Sequence, residues 1–389
     1  MDNLNCSWAY NDLFVGTRNN VAQCCMQGRG WESPDWSKVD DLNNWYANFA
    51  PFVQVREQHK NNIQNKECTR CWKYENRNIA SPRTRTNSNS IDTYGKVPDI
   101  PEVKNIELRF SNKCNLRCRM CDAASSSQIM DLTSELLSKG VNNSITKDMF
   151  DYKEVQNIDR LLELILQCDT VKEIQIAGGE PFLMPEVEWL LHELVKRNKT
   201  HINMKFITNL TSTKPRIINL LNQFDRVDFD LSIDGVGKTI EYQRYPVKWN
   251  TVEKNFLTLY EQNKFHLKFT PCLSNLNLEG LPDLINWARS YPNVRWGFNL
   301  VNSPSYMDYR LIPVKYRKNL YTKIENIDIS FMPVFVREMY EKFFSKDIFE
   351  FREITEEERK ELKDASEFWD YKSQLKFKDT FLWADELLA

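Results

Sequence analysis

From about residue 104 onward, the apolar positions of this chain alternate between two rhythms. Short strand-like runs recur at 104–111, 171–176, 203–208, 226–233, 265–273 and 293–301. Between them, at about 124–139, 156–167, 185–198, 214–223, 249–263 and 280–290, apolar residues return at helical spacing. Strand–helix alternation of this kind predicts an α/β domain with a parallel sheet and right-handed crossovers. Upstream, residues 6 to 75 are irregular and rich in aromatics and cysteine. The stretch from Asn76 to Tyr94, with its run Ser81 to Ser90, has almost no apolar residues and reads as a linker or exposed loop. Residues 139–153 read as an insertion or lid before the next crossover helix. Beyond 302 the chain becomes helical and charged, and Thr355 to Lys363 reads as a solvated helix face. No internal repeat is visible.

Composition narrows the function classes. The 389 residues carry 52 Lys+Arg against 54 Asp+Glu, so no overall field recruits nucleic acid, and none is expected as a partner. The first residues, Met1 to Cys6, have neither the basic nor the apolar part of a secretion signal, and no apolar run spans a bilayer. No membrane partner is expected. Ten cysteines without an export signal argue for metal ligation over disulfides, and hence for a reducing, cytoplasmic setting.

Three of these cysteines lie within eight residues, Cys114-Asn-Leu-Arg-Cys118-Arg-Met-Cys121, directly after the strand-like run Ile106 to Ser111. Three thiolates at C-x3-C-x2-C spacing suit three corners of a four-iron cluster, leaving one iron open to a ligand. Structural zinc is the competing reading. It wants a fourth Cys or His in paired spacing, and no cysteine follows Cys121 until Cys168. Cys168 and Cys272 have no sequence partners and read as buried small hydrophobes.

The cysteine spacing resembles that of the radical S-adenosylmethionine (SAM) superfamily. This resemblance implies a partial (β/α)6 TIM-like barrel, with SAM chelated to the open iron of a 4Fe–4S cluster. The second strand runs into Ala177-Gly178-Gly179-Glu180-Pro181. Adjacent glycines let backbone approach a ligand closely, and the family's Gly-Gly-Glu binds the SAM ammonium. Ser232 and Asp234, two apart at a strand end, are expected to share a face at the barrel mouth. With Asn209 they match positions that contact the ribose and methionyl parts of SAM. Helix capping by Asn209 and an ordinary Asp-Gly turn are the structural alternatives. Arg244 matches an arginine that pairs with the SAM carboxylate, as a guanidinium fork suits, against an exposed salt bridge. Met120 matches a bulky position near the adenine. Arg117 and Arg119 put positive charge by the cluster, favouring its reduced state, or else serve an interface with the N-terminal segment.

A second set, Cys6, Cys24, Cys25, Cys68 and Cys71, lies upstream. It resembles the twitch (half-SPASM) auxiliary-cluster domain: Cys6, a turn at Asn19-Asn20, V-x-x-C at Val21 to Cys24, Arg56 in a helical stretch, then C-x2-C at Cys68 and Cys71. Asn19 stands where the turn glycine is usual, tolerable because Asn visits left-handed backbone. The domain precedes the barrel, an order seen in N-terminal-twitch, often phage-encoded radical SAM proteins. The implied ligands of a second 4Fe–4S cluster are Cys6, Cys24, Cys68 and Cys71, with Cys25 the alternative to Cys24 and a zinc ribbon the alternative to the cluster.

The domains expected are therefore 1–80 (auxiliary cluster), 81–100 (linker), 101–302 (barrel) and 303–389 (C-terminal helices). The implied activity is reductive cleavage of SAM to a 5′-deoxyadenosyl radical that takes hydrogen from a substrate. With an auxiliary cluster, the expected reaction is oxidative modification of a peptide or protein. A small-molecule enzyme of cofactor or antibiotic biosynthesis, and a non-catalytic metal scaffold, are the alternatives. An external donor such as flavodoxin or ferredoxin would supply electrons.

Overall fold

The computed structural model describes residues 4–76, 80–89, 99–139, 141, 152–301, 303–344 and 353–388. The chain falls into two compact units, one of residues 1–112, 152–206 and 215–227, the other of 113–151, 207–214 and 228–389.

The first unit is built on strands β1 (Asp12–Gly16), β2 (Asn20–Ala22), β3 (Trp31–Glu32), β4 (Asn105–Leu108), β5 (Glu173–Ile176) and β6 (Asn203–Thr208). Their order is β3-β2-β1-β4-β5-β6. β1, β4, β5 and β6 run parallel, in the register Leu13↔Ile106↔Ile174↔Met204. Alternation sends one set of side chains into the core: Leu13 and Val15, Ile106 and Leu108, Ile174 and Ile176, Met204 and Phe206. The opposite set, Asp12, Phe14, Asn105, Glu107, Glu173, Gln175 and Lys205, is half-buried and mostly polar. The crossover helices Ile158–Gln167 and Pro185–Lys196 bury Leu161, Leu162, Ile165, Leu190, Leu191 and Leu194. Each such side chain contributes about 1.5–3 kcal/mol.

Two expectations change here. The N-terminal segment does not stand apart from the parallel sheet, because β1 pairs with β4 over Asp12 to Val15 and extends it. The turn into β2 uses Asn19 at φ +51°, the left-handed conformation expected of it. The supposed linker contains a helix, Pro82–Asn89, with Ser81 and Arg83 buried. It holds no apolar stripe, so tertiary polar contacts fix it. Arg83 bonds Glu75 (Nη2–Oε2, 2.7 Å), and Asn87 accepts from Ser7 N (2.9 Å) and donates to Asn5 O (2.8 Å). Of the expected lid at 139–153, residue 140 and residues 142–151 lie outside the described residues.

The second unit holds the parallel strands β7 (Val227–Leu231), β8 (His266–Phe269) and β10 (Arg295–Trp296), paired β7-β8-β10. A two-stranded sheet joins β9 (Cys272–Leu273) to β11 (Asn299–Leu300). The long C-terminal helix Glu356–Ser373 starts in a capping box, Thr355 with Glu358, and buries Leu362, Ala365, Phe368 and Trp369. Its charged first turns are largely exposed, as expected. Among the described residues no helix is long and apolar enough to cross a membrane.

Candidate cysteine-ligated active site

In the second unit, Cys114, Cys118 and Cys121 lie on one irregular loop between Lys113 and Ala123. Backbone hydrogen bonds tie this loop to the segment after Tyr242: Arg117 N donates to Tyr245 O (2.6 Å) and Arg119 N to Gln243 O (3.0 Å). Ser127 Oγ accepts from Cys114 N at 3.3 Å. Two of the sulfurs have a side-chain donor of their own. Asn209 Nδ2 lies 3.8 Å from Cys114 Sγ, and Arg244 Nη1 lies 3.8 Å from Cys118 Sγ. Asn209 is fixed in turn, since its Oδ1 accepts from Thr211 N (2.9 Å) and Thr211 Oγ1 (2.7 Å), and the next residue, Leu210, takes φ +58°.

Burial pushes the Cys118 thiol up to about 12, with Arg244 opposing, and raises Cys121 as well. A buried thiolate needs a compensating positive charge, and iron supplies one. N–H donors aimed at sulfur suit the same anionic group. Soft thiolates in this arrangement therefore fit an iron–sulfur cluster. Among the described residues no three Cys, His, Asp or Glu side chains converge closely enough to share a single ion.

Asp234 is fully buried, and its carboxylate binds Arg244 through Nε–Oδ2 (2.5 Å) and Nη2–Oδ1 (3.1 Å). Gln243 Nε2 (2.8 Å) and Cys272 N (2.8 Å) complete its shell. A buried carboxylate must be paired, and here the pair holds the guanidinium beside Cys118. Cys272 is correspondingly no inert hydrophobe: it is half-buried, and Arg244 also hydrogen bonds its sulfur.

Arg119 also lies elsewhere than the N-terminal segment. It is wholly buried, with its guanidinium over the Tyr242 ring (3.5 Å to the centroid) and near Trp369 (5.3 Å). Its Nε donates to Tyr242 O (2.6 Å) and its carbonyl accepts from Tyr306 (3.0 Å), whose hydroxyl accepts from Trp369 Nε1 (3.1 Å). The C-terminal helix thus backs the cysteine loop. Met120 is half-buried, and Ser232 N donates to Thr208 O (2.9 Å).

Gly178, Gly179 and Glu180 belong to the first unit, just past β5. Gly178 takes φ +113°, and a Cβ there would stand 2.8 Å from Ser111 O. Gly179 N donates to that same carbonyl (3.0 Å). Gly178 is therefore required by geometry. Glu180 is fully buried, with Oε1 accepting from Phe182 N (3.4 Å).

The Radical SAM superfamily description matches residues 108–288, the span from β4 to the helix Leu281–Ala288. Residues 108–288 are a radical SAM superfamily domain. Members of this superfamily are enzymes that use SAM and a 4Fe–4S cluster. The chain is 25% identical over 217 residues to the radical SAM cyclopropyl synthase TigE of Paramaledivibacter caminithermalis, covering 54% of this chain and 44% of that protein. It is 24% identical over 215 residues to the uncharacterized protein MJ0907 of Methanocaldococcus jannaschii, covering 54% of this chain and 67% of the relative. The chain thus spans between under half and two thirds of these relatives. Among solved structures, Streptococcus suis SuiB bound to the precursor peptide SuiA aligns at a TM-score of 0.39 and 14% identity, over 72% of this chain and 58% of that one.

Upstream of the radical SAM domain, the second cysteine set gathers round one cavity of the first unit. Cys6, Cys24, Cys68 and Cys71 line it, together with Gln27, His59 and Arg83. Burial pushes Cys6 up to about 12 and Cys68 to about 11, and raises Cys24 and Cys71 too. Cys25 turns away. Its thiol meets the Glu107 carboxylate, itself held by Arg109 (Nη2–Oε1, 2.7 Å), and burial with this carboxylate pushes it up to about 12. Cys25 lines a different, polar pocket on the sheet face, bounded by Asp12, Asn105, Glu107, Glu173, Gln175 and Lys205. Cys24 lines both. Arg56 stays outside the cavity lining, donating to the carbonyls of Ala9 (3.3 Å) and Ala47 (2.6 Å).

Sequence reasoning missed Gln27, His59 and Arg83 at this cavity, and Ser81 beside Cys71. The one available signal was Ser81-Pro82, a cap residue followed by proline at a helix start.

Proposed function

We propose that this chain is a radical SAM enzyme whose Cys114, Cys118 and Cys121 hold the SAM-binding 4Fe–4S cluster. The observation that carries the reading is the cysteine loop itself, inside a radical SAM domain, with Asn209 and Arg244 each donating toward a sulfur. A cluster held by these three cysteines would supply the one-electron chemistry that splits SAM into methionine and a 5′-deoxyadenosyl group able to take hydrogen from substrate.

The chain's own residues orient and enclose. Arg244, anchored by Asp234, and Asn209, anchored by Thr211, each donate to a ligand sulfur, and Arg244 also offsets its negative charge. The family resemblance assigns Gly178, Gly179 and Glu180 to the SAM ammonium, Met120 to the adenine, and Ser232 to the ribose and methionyl part. Asp234 acts through Arg244. The C-terminal helix, stacked on Arg119, keeps the loop shaped and dry.

The upstream set, Cys6, Cys24, Cys68 and Cys71, is proposed as a closed second cluster of twitch type on the N-terminal segment of a partial barrel. Four cysteines lining one cavity are a donor set that suits a closed cluster, with a single zinc ion as the competing occupant. A closed cluster can accept an electron, which favours net oxidation, with a peptide or protein side chain as substrate entering the polar pocket beside Cys24 and Cys25. A flavodoxin or ferredoxin would serve as external donor.

Iron and sulfide are to be measured on anaerobically reconstituted chain, beside a Cys114→Ala/Cys118→Ala/Cys121→Ala variant. The expected result is about eight irons falling to about four. About four irons with one zinc in the wild type would remove the second cluster and the oxidative preference with it.

A further inference from the structure

The four sulfurs of the upstream cavity differ in what surrounds them. Cys6 has the backbone N–H groups of Trp8 and Ala9 and also feels the Arg83 charge, while Cys24 has the N–H of Met26. Cys68 and Cys71 face side chains and a charge. Gln27 Nε2 donates to Cys68 Sγ at 3.8 Å, and Gln27 is itself set by Gln23, whose N donates to Gln27 Oε1 at 2.7 Å. Cys71 accepts from the backbone N–H of Arg83, and the Ser81 hydroxyl faces the same sulfur. The Arg83 guanidinium lies on the cavity wall with its fork on Glu75 (Nε–Oε1, 3.0 Å; Nη2–Oε2, 2.7 Å), its Nη1 on Asn5 O (2.8 Å) and its plane over Trp72 (5.3 Å to the centroid). Its side chain is 6% exposed and that of Glu75 is 18% exposed. A buried cation that lines the cavity is thus paired with a half-buried carboxylate, and both charges act on Cys71 in opposite directions.

We propose that Gln27 and the Arg83–Glu75 pair are positioning residues that set the reduction potential of the metal group held by Cys6, Cys24, Cys68 and Cys71. This rests on the reading of that set as a second cluster. Reduction adds one negative charge to the group. Hydrogen bonds to its sulfurs and a nearby cation stabilise the reduced form more than the oxidised one and raise the potential. Glu75 does the reverse, and holds the cation in place while damping it. The arrangement makes the upstream group the better electron acceptor, as a sink for an electron leaving a substrate radical must be. It also gives the helix Pro82–Asn89 a purpose, since its first turn delivers Arg83 and the Cys71 contact.

The test is potentiometric titration followed by electron paramagnetic resonance, in full-length chain with Cys114, Cys118 and Cys121 all changed to alanine so that only the upstream signal remains. In that background Arg83→Met and Gln27→Leu are expected to lower the potential, Arg83→Lys to hold it near the parent, and Glu75→Gln to raise it. A variant that merely loosened the fold would not produce opposite signs on the two members of one ion pair. Equal potentials in all four variants, or shifts of one sign in Arg83→Met and Glu75→Gln, would overturn the proposal while leaving the second cluster standing. Zinc in place of iron in the parent would instead overturn the cluster reading and the proposal together, and metal content tells the two failures apart.

Discussion

Arg244 touches Cys118 with one nitrogen and Asp234 with the other two: Nη1 lies 3.8 Å from the sulfur, while Nε and Nη2 lie 2.5 and 3.1 Å from the carboxylate oxygens. Burial and the Asp234 charge act in opposite directions on the guanidinium, and the carboxylate with the sulfur keeps it charged. The pair converts a position that resembles a SAM contact into an internal brace of the cysteine loop.

Asp234→Asn should therefore destabilise the chain before any ligand is added. Removing one partner of a buried pair leaves an uncompensated charge and costs about 3–5 kcal/mol. Urea denaturation of the metal-free protein measures it. Unchanged stability, with loss only of SAM affinity, would return Asp234 to the ligand pocket.

The brace behind the loop is testable in the same way. Trp369 is buried against Arg119 and hydrogen bonds Tyr306. Trp369→Ala should cost about 3–5 kcal/mol and speed iron loss from the Cys114 loop, followed by chelator challenge. Normal iron retention in a destabilised variant would confine the helix to a general packing role.

Adjacent cysteines should behave differently. Cys24→Ser is expected to lose the upstream metal, because Cys24 lines the cavity with Cys6, Cys68 and Cys71. Cys25→Ser, whose thiol meets Glu107 instead, should keep it. Metal analysis of the two variants in the Cys114/Cys118/Cys121 triple-alanine background decides the choice.

Gly178→Ala should destabilise by about 1–3 kcal/mol, the range for a side chain forced into sparsely populated backbone space. Its φ is +113°, and the added carbon would stand 2.8 Å from Ser111 O. Thermal unfolding compared with a Gly179→Ala control checks it, since no positive φ occurs at Gly179.

The alternating half of the chain was legible because 173–176 and 203–208 carry buried residues at every second position and 227–231 is almost wholly buried, and all three fall inside the runs read from sequence. The N-terminal strands were not. β1 is five residues long and β3 two, and their partners are supplied by pairing that no local pattern encodes. The helix Pro82–Asn89 escaped for a related reason. Its sequence, PRTRTNSN, has no apolar face, and its stability comes from Arg83, Asn87 and Ser81 contacts to residues 5, 7 and 75. At the site, the cysteine loop announced itself by spacing. The Asp234–Arg244 brace and the Trp369–Arg119 stack did not, since they join residues 10 and 250 apart whose types alone suggest surface charge and core.

The most direct measurement is 5′-deoxyadenosine formed from SAM by the anaerobically reconstituted, chemically reduced chain, with Cys118→Ala as the control. The account predicts nucleoside and methionine in equal amounts from the wild type and none from the variant. An intact cluster on Cys114, Cys118 and Cys121 that leaves SAM uncleaved after reduction would contradict it.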